Sequence, residues 1–373
     1  MEESRKRFHF FKGRLALYAI LKALDLGPGD EVIIPGFTCV VVPNALIYLG
    51  IRPVYADIDP ATFNISAPEV RSRITPRTRA IIAQHTFGIP AEMDPILALA
   101  KGHGLFVIED SCHALGSEYG GRRTGTMGDA AFFSSQWSKP VTSGLGGWAV
   151  VKDGALRKKL ARIHAQMPAP SAREDLLLRL QYVFYSGLFR PSLFWFLRDL
   201  YRGLSSHGLA IGSSSKNELD CEKTGGYEKK MSQWQSTLLE RKLSGIESYI
   251  AKRKEKRAFY ENALMEKGME TLKLPPHYAA VLLRYPVFVE DKEKTLKEAR
   301  KSRIELGDWF LSPLHPNLAN WEKACYEKGS CPKAEKLCRH IVNLPMHSGI
   351  NKKEVNRVAD FIRPYTVSAK NLF

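Results

Sequence analysis

Residues 27–59 read GPGDEVIIPGFTCVVVPNALIYLGIRPVYADID, and this stretch decides the architecture. Glu31-Val32-Ile33-Ile34-Pro35 is a short apolar run without alternating polar residues, as in a strand buried on both faces. Pro43 to Leu49 follows with helical character, Pro43 being suited to a first turn. Arg52 to Asp57 then returns to a strand that ends in acids. Upstream, Leu15, Leu17, Tyr18, Leu21, Ala23 and Leu24 place a helix over Gly13 to Leu26, stopped by Gly27-Pro28-Gly29. Downstream, Ala80 to Ala83 reads as a third strand and Ile96 to Lys101 as part of a helix ended by Gly102. Leu105 to Ile108 is a fourth strand closing on Glu109-Asp110. Strands alternating with helices predict an α/β fold with a mainly parallel sheet covered on both faces. Ligands of such sheets bind at the carboxyl ends of the strands, which singles out Asp57, Asp110 and the loop Pro35 to Thr38.

The chain of 373 residues is long enough for two or three domains. Its 44% hydrophobic and 25% charged residues exclude collagen-like and largely disordered classes. Lys and Arg outnumber Asp and Glu by 55 to 39, a net charge of +16 that favours anionic partners without choosing among them. Six cysteines, at 39, 112, 221, 325, 331 and 338, are too loosely spaced for a disulfide scaffold or a zinc site, so reduced thiols and no metal are expected. The first twenty residues have no signal-peptide pattern, so a cytoplasmic protein is expected.

The densest chemistry lies at 131–147, where Lys139 is the lone charge among aromatics, hydroxyls and glycines. Burial lowers the pKa of an amine and leaves it able to attack a carbonyl. A lysine reaching out of a loop to water fits the same composition.

With these residues in view, the chain resembles the DegT/DnrJ/EryC1/StrS family, PLP-dependent aminotransferases of fold type I that act on nucleotide-linked keto sugars. The resemblance runs in order through Gly13, residues 27–59, TRAIIAQHTFGIPAEMDPI (78–96), HGLFVIEDSCHALGSEYGGRRTGTMGDAAFFSSQWSK (103–139) and GLGGWAVV (144–151). It resumes at MSQWQSTLLERKL (231–243), SPLHP (312–316) and CPKAEKLCRHIVNLPMH (331–347). It implies a seven-stranded-type sheet in a large PLP-binding domain, 1–235, and a smaller α+β domain, 236–373. Lys139 then matches the lysine that forms the internal aldimine with pyridoxal 5'-phosphate and moves the proton, and Asp110 the acid that pairs with the pyridine nitrogen. A dehydrating branch carries histidine at the lysine position, so Lys139 implies transamination. Ser134 matches a phosphate donor. Gly13 and Arg14 fall where a helix N-terminus holds the phosphate, Arg14 replacing the usual threonine. Its guanidinium either adds a bond to the phosphate or lies exposed. His113 takes a place near the ring face, stacking on it, hydrogen bonding to it, or serving the fold alone. Ser138 is either a further donor or part of a turn, and His85 reads as structural.

Three features depart from the family. Cys39 stands where an aromatic often covers the ring, which leaves His113 or Phe37 to do so. Glu228 stands where an asparagine often reaches the partner subunit's cofactor phosphate, so Lys229 or Lys230 takes that contact or the loop points elsewhere. Residues 165–225 form an atypical apolar insertion. Within it, 176–204 reads as two short helices broken near Gly187 and Arg190-Pro191, with a protein-covered cap favoured over peripheral membrane contact. The basic run 252–257 reads as a solvated face, and no nucleic-acid partner is expected. The function expected is transfer of an amino group, from an amino-acid donor such as glutamate, to a nucleotide-diphosphate keto sugar, by a homodimer. Sugar dehydration on the same fold, or a non-catalytic sensory or membrane-associated homologue, are the alternatives.

Overall fold

A computed structural model describes residues 7–188, 211–212, 214, 216–317 and 319–373. Seven strands build the main sheet: β1 (Phe8–Phe10), β2 (Glu31–Pro35), β3 (Arg52–Ala56), β4 (Thr78–Gln84), β5 (Phe106–Asp110), β6 (Ala130–Ser134) and β7 (Gly147–Val151). Their spatial order is β1-β7-β6-β5-β4-β2-β3. The five strands from β6 to β3 are parallel, and β7 and β1 complete one edge antiparallel. The α/β expectation holds, and each strand read from residues 31–110 is present. The apolar runs that lack period-two polarity are buried: β2 is inaccessible or nearly so along its whole length.

Helix boundaries differ in instructive ways. Helix α1 (Gly13–Ala23) stops three residues short of the expected end, before the Gly27-Pro28-Gly29 turn. The next helix, Val41–Ile47, begins two residues before Pro43, which still falls in its first turn, where its missing N–H costs nothing. Helix Met93–His103 runs through Gly102 and ends at Gly104, whose φ of 65° supplies the left-handed cap. Gly102 has open space around it and no such conformation, so the stop signal was the second glycine of the pair.

The C-terminal part contributes a two-stranded antiparallel sheet, Tyr285–Phe288 with Ile341–Leu344, flanked by the long helix Ile246–Glu266 and by Lys352–Ile362. Two contacts tie it to the main sheet. Leu314–His315 pairs parallel with Thr38–Cys39, just beyond β2. Asp57, beyond β3, accepts from the amides of Lys333 (2.9 Å) and Ala334 (3.0 Å) and so caps helix Pro332–His340. The strand-end acid at 57 is therefore structural, while its counterpart at 110 faces a pocket.

Within the insertion, helix Ala172–Leu188 includes Gly187, and the break expected near Arg190-Pro191 lies outside the described residues. Leu178 is buried, whereas Leu176, Leu180, Val183 and Phe184 form an exposed row. The second helix expected within 189–204 lies outside the described residues. Among the described residues, no helix is long and apolar enough to cross a membrane and no cluster suits a metal ion. All six cysteines are free, as expected.

Asp57→Ala removes two buried acceptors from a helix end that the C-terminal part contributes. We expect a loss of about 1–3 kcal/mol in unfolding free energy, read as a lower denaturant midpoint, with Asp57→Asn less costly because one oxygen remains. An unchanged midpoint for Asp57→Ala would show that the cap contributes nothing.

Candidate active site

The carboxyl ends of β5 and β6 open into a pocket of about 400 Å³. Its wall includes all six residues singled out for the cofactor: Gly13, Arg14, Asp110, His113, Ser134 and Lys139. The parallel register explains the grouping: Phe132 pairs with Asp110, which sets Ser134 just beyond the end of β5.

Asp110 is 6% exposed, and its Oδ1 accepts from the Cys112 amide at 3.0 Å. Burial pushes its carboxyl up, against the opposing pull of that amide and of Lys139. Burial pulls the Lys139 amine below the ordinary lysine value, although Cys112 and Asp110 oppose it. Among the described residues the Lys139 Nζ has no hydrogen-bond acceptor; it lies 4.7 Å from the centre of the Trp309 ring. The side chain thus points into the pocket towards Trp309.

His113 stacks on Trp309 (5.0 Å between centroids, 25° between planes), and its Nδ1 accepts from the Phe87 amide at 3.4 Å. Burial first, then the Lys139 and Arg284 charges, drive its pKa well below the ordinary value and keep it neutral. Phe37 is fully buried and packs edge-on against Phe310 at 4.6 Å, so it does not cover the pocket. Cys39 lies in the wall, as does Ser138.

Gly13 begins α1 so close to β6 that a Cβ there would stand 3.0 Å from both Phe133 O and Ser134 Cβ. Of the two readings for Arg14, exposure is wrong. The guanidinium is buried, pairs with Glu218 and donates to Ser214 Oγ at 3.3 Å. Lys12 Nζ reaches the same carboxylate at 3.5 Å, and burial, then Arg14, depresses its pKa to about 8. Glu218 comes from the insertion, 204 residues away in sequence, so no local signal announced it.

Glu228 is held within its own chain by the Tyr18 hydroxyl (3.0 Å) and Lys223 (2.9 Å), and Lys229 pairs with Glu174 at 2.6 Å. His85 is structural, as expected: its Nδ1 accepts from the Ala91 amide and its Nε2 lies 3.0 Å from Glu109. Helix Ala172–Leu188 covers the Lys139 loop, with the Tyr185 hydroxyl donating to Trp137 O at 3.1 Å. Trp309, His315 and Gln84 also line the pocket, and their roles were not read from the sequence.

Over residues 10–176 and 196–363 the chain matches the family model described as the DegT/DnrJ/EryC1/StrS aminotransferase family. The chain belongs to that family. It is 28% identical over 352 residues to a UDP-N-acetyl-3-dehydro-alpha-D-glucosamine 3-aminotransferase of Acidithiobacillus ferrooxidans, covering 94% of this chain and 82% of that one. It is 30% identical over 351 residues to the GDP-perosamine synthase of Caulobacter vibrioides, covering 93% and 82%. Among solved structures it resembles S. venezuelae DesV in complex with a ketimine intermediate, with 25% identity, a TM-score of 0.74, and coverage of 96% and 84%. The architecture is that of fold type I aminotransferases, and the protein is an enzyme.

Behind the site, Glu109 accepts from the amides of Gly125, Met127 and Gly128 at 2.6–2.7 Å. Burial alone would raise its pKa, but the His85 ring and the Gly128 and Gly125 amides outweigh that and hold it below the ordinary value. Its contribution is therefore present above the unfolded carboxylate pKa and lost as pH falls through the lower folded value. Glu109→Gln should cost about 3–5 kcal/mol at neutral pH, and its stability should fall less steeply on acidification than that of the parent. Parallel pH profiles in urea unfolding would contradict this.

Proposed function

We propose that the enzyme is a PLP-dependent transaminase that moves an amino group from an amino acid, glutamate foremost, onto a nucleotide-linked keto sugar. The observation that carries this reading is the meeting, in one pocket at the ends of parallel strands, of the Lys139 amine and the buried Asp110 carboxylate.

The residues fit pyridoxal 5'-phosphate. Among the described residues Lys139 offers an amine without a hydrogen-bond acceptor, and Asp110 a buried carboxylate whose pKa burial raises. The close approach of Gly13 to β6 leaves the start of α1 without a side chain at that residue, beside the Ser134 hydroxyl. On this reading Lys139 carries the cofactor covalently, Asp110 pairs with its pyridine nitrogen, and Ser134 with the α1 amides holds its phosphate. When bound, the cofactor supplies an electron sink for charge that develops at the substrate carbon.

The protein's own part is proton handling and exclusion of water. The Lys139 amine, whose pKa burial lowers, takes the proton from the donor's α-carbon and later returns one to the former keto carbon of the sugar. His113, held neutral, presents an uncharged flat face beside it. Trp309 and the Trp137–Tyr185 pair close the surroundings of the amine. The reaction converts glutamate and keto sugar into 2-oxoglutarate and amino sugar. A net charge of +16 helps gather an anionic nucleotide sugar without selecting it. The row Leu176, Leu180, Val183 and Phe184 supports a homodimer, since it leaves apolar surface for a second copy.

The reading is tested by incubating the PLP-loaded enzyme with glutamate and a panel of nucleotide keto sugars and weighing the products; no amino sugar from any of them would end it. Borohydride should fix the cofactor mass on the peptide holding Lys139, and Lys139→Ala should lose both label and transfer. A label on another lysine would sink the assignment. Asp110→Asn should keep the label while turnover falls by roughly 10²–10³-fold; near-normal turnover would rule out its role.

A further inference from the structure

One buried lysine has no part in the reaction as described. Lys292, only 5% exposed, opens helix Lys292–Lys301, whose N-terminus is capped by Asp291. The start of a helix carries the positive end of its dipole, and burial takes away water, so an ammonium is disfavoured there on both counts. Burial lowers the Lys292 pKa to about 8, against the pull of Cys338 and Asp308. Among the described residues no carboxylate pairs with it. Its Nζ donates instead to two backbone carbonyls, Phe310 O at 2.6 Å and Cys338 O at 3.0 Å.

The two carbonyls belong to different parts of the structure. Cys338 lies in the last turn of helix Pro332–His340, where carbonyls lack helical partners and the dipole is negative, which makes it a suitable anchor for a cation. Phe310 belongs to the wall of the pocket, together with Trp309. The two rings lie 21° and 25° from the plane of His113, at 6.3 Å for Phe310 and 5.0 Å for Trp309. Trp309 is also the ring 4.7 Å from Lys139 Nζ. Residues 309 and 310 lie outside every described strand and helix, so no ladder fixes them. Among the described residues their main chain is held by side chains instead: the Trp309 amide donates to Asn343 Oδ1 at 3.1 Å, and the Phe310 carbonyl accepts from Lys292.

We propose that Lys292 is a positioning residue for the reaction: it holds the Trp309–Phe310 wall, so that the indole face stays against the Lys139 amine. The inference rests on Lys139 as the working amine of the transfer proposed above. Lys292 does not line the pocket and acts through the Phe310 carbonyl and the neighbouring indole. An aromatic face stabilises a cation beside it. The indole therefore favours the protonated nitrogen at Lys139, and a wall that drifts away withdraws that support. Lys292 suits this task because its ammonium joins the wall to a helix end that does not belong to the pocket.

The test follows the visible absorption band of the PLP-loaded enzyme as pH is varied, since the band reports the proton on the nitrogen that Lys139 supplies. Parent, Lys292→Met, Trp309→Leu and the double variant are compared. Lys292→Met keeps the apolar stem and removes the donors; it should lower the pKa of the band by about 0.5–1 pH unit. Trp309→Leu should lower it similarly, and the double variant no further than Trp309→Leu alone, because both act through one ring. Without cofactor, acrylamide quenching of the Trp309 emission, taken as parent minus Trp309→Leu, should rise in Lys292→Met. Should Lys292→Met not fold, Lys292→Gln, with a shorter stem, is measured in its place. A pKa and quenching like the parent's would overturn the proposal. So would a shift that adds in full to that of Trp309→Leu, or a lower thermal midpoint with neither signal changed, as a purely structural lysine predicts. If the parent formed no visible band with PLP, the transfer reading would fall on its own, and the quenching would still report whether Lys292 holds the ring.

Discussion

The buried carboxylate of Glu109 is the constraint around which the site is organised. Successive residues of a strand face opposite sides of the sheet, so Glu109 and Asp110, at the end of one strand, serve opposite purposes. Glu109 turns inward, where three amides of the loop 125–128 and the His85 ring surround it. That fastening sets the loop that leads into the Ala130–Ser134 strand, and through it the stretch that ends in Lys139. Asp110 turns the other way with a single amide for company and faces the pocket. One carboxylate is saturated and holds the frame, and its neighbour is left under-satisfied and available.

The opposite wall of the pocket comes from the C-terminal part. Pairing of Leu314–His315 with Thr38–Cys39 brings His315 beside Cys39, and the Asn343–Gly307 exchange fixes Trp309 close to Lys139. The aromatic surface near the amine thus arrives from the far end of the chain instead of from position 39 or from Phe37. Cys39 leaves room that an aromatic would occupy, and Trp309 stacked on His113 brings a broad flat surface into the same pocket.

Charge in this enzyme is uneven at two scales. Over the whole surface, the excess of 55 basic over 39 acidic residues is a diffuse field. Inside, the cations have distinct fates. Arg14 and Lys12 share Glu218, Lys139 is depressed by burial, and Arg284 keeps its charge without a partner among the described residues. The capture of Arg14 by Glu218 also ties the insertion to the start of the first helix, beside the Gly13 backbone.

The sequence by itself determined the strands between 31 and 110 and the α/β class, which depend on local periodicity, and it singled out Asp110 at a strand end and Lys139 as a lone charge. Gly13, Arg14, His113 and Ser134, which meet them in the pocket, were named by the family resemblance. Even there the helix stops moved by a few residues, since Gly102 and Gly104 look alike until one of them adopts a positive φ. Tertiary structure alone decided that Asp57 caps a helix 275 residues later, while Asp110, with the same strand-end signature, opens to the pocket. It alone decided that Arg14 is buried against Glu218, that Phe37 packs away from the pocket, and that Trp309 and Arg284 stand beside Lys139. The physical reason is common to all of these: each depends on burial and on a partner distant in sequence, which neither composition nor spacing along the chain records.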